Sequence, residues 1–390
     1  MRKASLILFV LIAVFSLVTF VACNSDVVQV RSVTLDMDSI AIKVGEAKTL
    51  RATVSPADAA DVSVTWTSSD EAIATVAVNG RVTAVSPGTA TITVTSNFDN
   101  TKKATCTVKV VDPLYSPLTL ELKEAGDFTL VIRKFFGSNL YYSYNDGERE
   151  EITTTSVLFE NCSVGDTIAL YRTIVGTEPP ITIRCSSDCY VYGNVMSLID
   201  SENYATKTDV PEGAFKDLFK DNGRITNHPD YDLVLPATTL APYCYHYMFS
   251  GCVGLKKAPE LPATTLDDHC YSYMFSFCTG LTEAPELPVT ALKAYCYQSM
   301  FEGCTALKEA PALPAETLVD MCYDCMFYEC SSLSSIICLA TVIPSEYCTS
   351  LWVYGTNGTG TFFKNPNKND WGSGNSGIPA GWTIVDYPTT

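Results

Sequence analysis

Histidine is nearly absent from this chain: it occurs three times, at His228, His246 and His269. A catalytic triad or a His-rich metal centre therefore has little material. Positive charge is also short. Lys plus Arg number 26 against 43 Asp plus Glu, a formal net charge of −17. That balance argues against a nucleic-acid binder, which needs a basic stripe for the phosphates. The sequence has no G-x-S-x-G, H-E-x-x-H or P-loop, and no G-x-G-x-x-G in a strand–helix setting. Its carboxylates are scattered, and no pair suited to glycoside hydrolysis stands out. Asp230 and Asp232 together fall short of the six to eight oxygens that Ca²⁺ takes. No cofactor or metal is expected. Cysteine, by contrast, is plentiful at 16 residues, so its placement matters.

The N-terminus reads as an address. Met1-Arg2-Lys3 is basic, and Leu6 to Val21 is apolar apart from Ser16 and Thr19. This is a secretory signal pattern, and no other run approaches the length of a membrane span. It ends Phe20-Val21-Ala22-Cys23 before polar Asn24-Ser25-Asp26. The segment resembles a bacterial lipoprotein box, with Phe20 where Leu is usual. The resemblance implies a signal peptide over 1–22, lipidation of Cys23 and a linker over 23–30. The lipid anchor would hold the protein to the outer membrane, surface-exposed.

From 31 to 112 short runs of period two alternate with turns, among them Ser63-Val64-Thr65-Trp66 and Thr89 to Val94. Asn79-Gly80 and Pro87-Gly88 mark turns, and the pattern predicts an all-β immunoglobulin-like sandwich. Trp66 is expected to point into its core. Cys106 has no partner inside this segment. The stretch Val64-Thr65-Trp66-Thr67-Ser68-Ser69-Asp70, with Gly80-Arg81-Val82-Thr83-Ala84 and Pro87-Gly88-Thr89-Ala90-Thr91-Ile92, resembles the bacterial Ig-like domain, group 2. Such domains serve as spacers or binding modules of surface proteins.

Residues 113–200 read as a second, small β-rich domain, with a hairpin turn at Asn145-Asp146-Gly147. Cys185 and Cys189 are separated by three residues, and no further Cys pair or His stands near enough for a structural zinc site. A disulfide between these two thiols is left open.

Residues 201–350 carry a 26-residue repeat. Cys244, Cys270, Cys296, Cys322 and Cys348 keep the interval, as do Cys252, Cys278, Cys304 and Cys330. A worn first copy holds Ala214-Phe215 and Phe219, with about four extra residues near His228 to Asp232. A fixed period of this size predicts a stacked solenoid of leucine-rich type. Leu266, Cys270, Met274 and Cys278 stand four residues apart, which predicts one helical face, capped by Thr264 or Thr265. An α/β solenoid follows from that reading. If helices carry the cysteines, neighbouring columns are too far apart to bridge, and the thiols are reduced core residues. The pattern C-Y-x-x-M-F-x-x-C with A-P-x-L-P-A-x-T-L resembles the BspA-type leucine-rich repeat proteins of Bacteroides-like bacteria, with 351–390 as the C-terminal cap. The resemblance implies a cell-surface protein, some relatives being implicated in adhesion.

The expected function is a non-enzymatic surface lipoprotein that binds a host protein or glycan through the solenoid. The rival is an envelope spacer with no ligand. The candidate contacts are the variable positions of the extended segments, Lys256, Lys257, Thr282, Glu283, Lys308 and Glu309, together with Glu260 and Glu286.

Overall fold

The structure is a computed structural model that describes residues 27–133, 139–174 and 179–388. The signal segment and Cys23 lie outside the described residues. The chain divides into two compact units near Val110, with Ala41–Val44 grouped with the second.

The first unit is all β. Its strands are β1 (Ser32–Leu35), β2 (Ser39–Lys43), β3 (Ala47–Thr49), β4 (Ala52–Ser55), β5 (Val64–Ser68), β6 (Ala74–Val76), β7 (Arg81–Ala84), β8 (Gly88–Ser96) and β9 (Lys103–Val111). They form sheets of order β2-β9-β8-β5, β3-β7-β6 and β1-β4. Strand β8 shows why the sequence reads as strand: Ala90, Ile92 and Val94 are buried while the residues between them are not. Trp66 is only partly buried, and packs against a small cluster of Val30, Val33 and Val94. Cys106 is buried and free. Gly80 fixes the turn after Asn79. Its φ is +79°, and a Cβ there would meet the Leu50 carbonyl oxygen at 2.4 Å and the Trp66 ring at 2.9 Å.

The second unit begins with eight strands: β10 (Leu118–Leu122), β11 (Gly126–Arg133), β12 (Leu140–Tyr144), β13 (Arg149–Glu151), β14 (Ser156–Cys162), β15 (Thr167–Arg172), β16 (Thr182–Cys185) and β17 (Cys189–Asn194). One sheet runs β13-β12-β15-β10-β17, and another β14-β11-β16. The expected hairpin is β12 to β13, with Asn145 and Asp146 both at positive φ. Strand β17 is the hinge of the architecture. It pairs antiparallel with β10 on one side and parallel with Ile225–Asn227 and Leu233–Val234 on the other. An antiparallel sheet thus hands over to parallel coils. One hydrophobic cluster runs from Leu118 to Trp382, so the boundary expected at residue 200 does not divide the core.

The repeats do stack, but the helical layer expected of them is absent. No α-helix occurs among the described residues; the short helical turns are 3₁₀ segments such as Val195–Leu198. Each Cys-to-Cys stretch is a chain of overlapping turns. The amides of His246, Met248 and Ser250 donate three residues back, to Tyr243, Tyr245 and Tyr247, each at 3.1 Å. The alternate amides of Tyr245, Tyr247 and Phe249 leave the coil and donate to Cys270, Ser272 and Met274 of the next, at 3.0, 3.1 and 2.9 Å. A helix would use both sets internally. Every fourth residue is also left-handed: Tyr243 and Tyr247 have φ of +57°, His269 +56°, Tyr273 and Phe277 +58°. A right-handed helix excludes that conformation. The four-residue apolar interval is real, since Leu266, Cys270, Met274 and Cys278 are all buried. It arises from a turn unit four residues long. Thr264 and Thr265 cap nothing; their amides donate to Thr238 of the preceding coil.

Stacking in register builds two aromatic columns. Phe215, Tyr245, Tyr271, Tyr297 and Tyr323 lie face to face, with ring centroids 5.5 to 6.1 Å apart. Phe219, Phe249, Phe275, Phe301 and Phe327 do the same at 5.5 to 5.8 Å. Trp352 closes both columns, and its indole Nε1 donates to the Gly377 carbonyl at 2.8 Å. The C-terminal segment completes this end with a parallel sheet of Ser335–Cys338, Thr361–Lys364 and Thr383–Asp386.

The thiols of the second cysteine column have a structural task. Cys252, Cys278, Cys304 and Cys330 each donate to the carbonyl of a Phe in the preceding coil, at 3.0 to 3.1 Å. Coils joined by ladder bonds sit about 4.8 Å apart, closer than the packed helices expected of the repeat. The thiols are nonetheless free. Side chains stacked in register at about that spacing keep their Cβ atoms outside the roughly 3.5–4.5 Å a disulfide needs. Burial pushes the Cys270, Cys278 and Cys330 thiols up to about 12.

Gly80→Ala adds a left-handed alanine and a backbone clash, and should destabilise the first unit by about 2 kcal/mol, read as an earlier unfolding transition in urea. The raised thiol values set a pH window. From the ordinary value of 9.0 up to about 12, unfolded thiols ionise while folded ones hold their protons. Their stabilising contribution is complete below that window and is lost as pH rises through it. The column thiols of the native protein should therefore resist a maleimide at pH 8 and react once urea unfolds the chain. Labelling of the native columns at the unfolded rate would contradict this.

Candidate functional site

All eight candidate contact residues are solvent-exposed. They lie on the extended segments of successive coils, where Lys257 bridges to Glu283 and Glu309 to Ser335 in parallel register. Lys256 holds this ladder by its backbone, since the Lys256 amide hydrogen-bonds at 2.8 Å to the side-chain oxygen of Asn227. Asn227 also accepts from the Lys257 amide at 3.0 Å and donates to the Lys257 carbonyl at 2.9 Å. One asparagine thus ties the first extended segment to the second.

Two of the eight, Lys257 and Glu260, line a cavity of about 280 Å³. Lys256, beside Lys257, does not line it, and the other five lie further along the ladder. Its opposite wall comes from the extra residues of the worn first copy, with His228, Tyr231 and Asp232. Pro229, Pro236, Pro259 and Pro262 supply rigid apolar surface.

His228 organises that wall. Its Nδ1 accepts from the amides of Asp230 and Tyr231, both at 3.0 Å. Its Nε2 faces Glu121 Oε2 at 3.4 Å. With Nδ1 as acceptor, the neutral ring carries its proton on Nε2, toward the carboxylate. Burial holds the imidazole below its ordinary value, against the opposing pull of Glu121 and Asp230. Tyr231 stacks on the His228 ring with centroids 4.4 Å apart, and Tyr190 and Tyr192 meet its edges at 4.9 and 5.1 Å. Burial, foremost, raises the Tyr231 and Tyr192 hydroxyls, so both stay protonated at neutral pH. Lys123 lies 4.8 Å over the Tyr190 ring and closes the cluster.

The arrangement pairs flat apolar surface with a few fixed polar groups. Glu260 and Asp232 offer acceptors, Lys257 offers donors, and Tyr231 with the prolines offers flat surface. No group of three metal-ligating side chains occurs among the described residues. Of the cavity-lining residues, Lys257, at a variable position, and Glu260 are among the expected contacts, whereas His228 and Tyr231 are not. The signal was available: four extra residues interrupt an otherwise fixed period, and such insertions map to loops on one face.

Comparison with known proteins bears on the first unit. Residues 29–108 match the bacterial Ig-like domain (group 2) family. An uncharacterized protein of Clostridium acetobutylicum is 37% identical over 89 residues, 23% of this chain and 9% of that protein. A 3-O-alpha-D-galactosyl-alpha-L-arabinofuranosidase of Bifidobacterium longum subsp. longum is 46% identical over 71 residues, 18% of this chain and 6% of the enzyme. An Ig-like virion protein of Serratia phage KSP90 is 46% identical over 85 residues, 22% of this chain and 33% of that protein. The chain thus spans no more than a third of any of these three relatives. What it shares with them is a domain, and residues 29–108 are a bacterial Ig-like domain of group 2.

Proposed function

We propose that this protein is a non-catalytic glycan-binding protein of the bacterial cell surface, anchored through a lipid on Cys23. The cavity walled by Lys257 and Glu260 on one side and by His228 and Tyr231 on the other holds one or two sugar units of a longer chain. The observation that carries this reading is the makeup of the cavity, with stacked aromatic and proline surface beside a carboxylate and an ammonium. Sugar hydroxyls pair with charged side chains, and the apolar face of a sugar ring packs on flat surface. The volume of about 280 Å³ falls just below the range of drug-sized ligand sites, about 300–1,000 Å³, and suits a ligand of one or two rings. The exposed ladder of Glu283, Glu286, Lys308 and Glu309 extends the same face for further units of the ligand. Solenoids present extended surfaces of this kind for binding. The Ig-like domain is also compatible with this setting, since similar domains occur in relatives named as arabinofuranosidases.

The purified chain should bind a subset of a glycan array, and calorimetry should give a measurable affinity for the strongest member. Tyr231→Ala and Glu260→Gln should each weaken that affinity about tenfold, roughly 1.4 kcal/mol, and Glu260→Gln, at an exposed position, should do so with the unfolding transition unchanged. An array with no binder, or variants that bind as the parent does, would refute the glycan reading. Anchoring is tested separately. Cys23→Ser should move the protein from the membrane fraction to the soluble one and abolish incorporation of labelled palmitate. Unchanged fractionation would count against the anchor.

A further inference from the structure

Two groups of cysteines in the second unit differ in geometry. The column thiols face carbonyl oxygens or stacked neighbours. Cys185 and Cys189 face each other, with their Sγ atoms 3.3 Å apart. Cys185 closes β16 and Cys189 opens β17, and these strands belong to different sheets. A bond between them would join the two sheets of the β-rich segment where the first coil docks.

The tripeptide between them is held in place from both sides. Ser186 donates its amide to Thr129 of β11 at 3.1 Å and accepts the Thr129 amide on its hydroxyl at 2.8 Å. Asp188 pairs with Arg224 at 3.1 Å, and the Cys189 amide donates to the Arg224 carbonyl at 3.0 Å. Asn222 of the first coil reaches Cys185 Sγ with its Nδ2 at 3.5 Å. The thiols are thus set in contact by a backbone fixed to two neighbours, and closing to a bonded distance of about 2.05 Å requires only a small side-chain movement.

We propose that Cys185 and Cys189 form an intramolecular disulfide when the protein meets a disulfide oxidant. The two thiols are differentiated for the exchange. Cys189 is buried, whereas Cys185 is partly exposed. The hydrogen bond from the Cys189 thiol, assisted by Asn222, lowers Cys185, while the same contact and burial raise Cys189. Cys185, as thiolate, attacks a sulfur of the oxidant; the oxidant's S–S bond breaks, and one of its halves leaves as a thiolate. Cys189 then gives its proton to solvent and attacks Cys185 Sγ in the mixed disulfide, releasing the second half. The two cysteines are oxidised by two electrons, and the oxidant becomes two thiols.

The test uses the full chain, reduced, desalted and incubated with glutathione disulfide. It is then unfolded in iodoacetamide without reductant and mapped by mass spectrometry. The peptide holding Cys185 and Cys189 should lack both alkyl groups and be two hydrogens lighter, while the column cysteines are alkylated. In Cys185→Ser, Cys189 should become alkylated. Two alkyl groups on the parent peptide, a glutathione retained on Cys185, or a bridge to any other cysteine would each overturn the proposal. The readout does not depend on ligand binding, so its failure leaves the glycan reading untouched.

Discussion

The hydrogen bond from one coil to the next is the constraint on which the C-terminal half depends. Every second amide in the Cys-to-Cys stretch is committed to a neighbouring coil. A single coil therefore cannot satisfy its own backbone. The commitment explains the left-handed residues, since the chain must turn its alternate amides along the stack. It also sets the rung spacing at which rings and thiols meet. The aromatic columns, the thiol-to-carbonyl bonds and the Trp352 closure all follow from that spacing.

Much of this was legible in the sequence, for physical reasons. The interval of 26 residues gave the stack and its register, and the alternation in Thr89 to Val94 gave a strand of the sandwich. The worn first copy and the C-terminal segment appear as the two ends of the stack. The conformation of the repeat was not legible. A stripe at every fourth residue suits a helix and a four-residue turn unit equally well. Only the partners of the alternate amides tell the two apart, and side-chain pattern does not report them. The left-handed positions gave little warning, because most hold residues other than glycine, among them Tyr243 and Tyr247. The site was half legible. Variability pointed to Lys257, but His228 and Tyr231 line the cavity through an insertion that breaks the repeat.

Cysteine content alone would have described this protein poorly. In-register thiols point the same way along the stack, and one column uses its protons on carbonyl oxygens that already accept a backbone amide. Each such thiol satisfies a second lone pair inside the core, which an alanine of similar polarity could not do. The pair at the end of β16 obeys different geometry because a reversing loop turns its side chains toward one another.

The insertion that walls the cavity occurs once, in the first coil, whereas the coils after it are close copies. Duplicating or deleting a middle copy would preserve every rung, because each coil meets only its two neighbours. Such a change would shift the Trp352 closure along the stack and leave the pocket where it is. The length of the stack is therefore separable from the cavity: a change in the number of middle coils alters how many extended segments the ladder presents, while the cavity at the first coil keeps its walls.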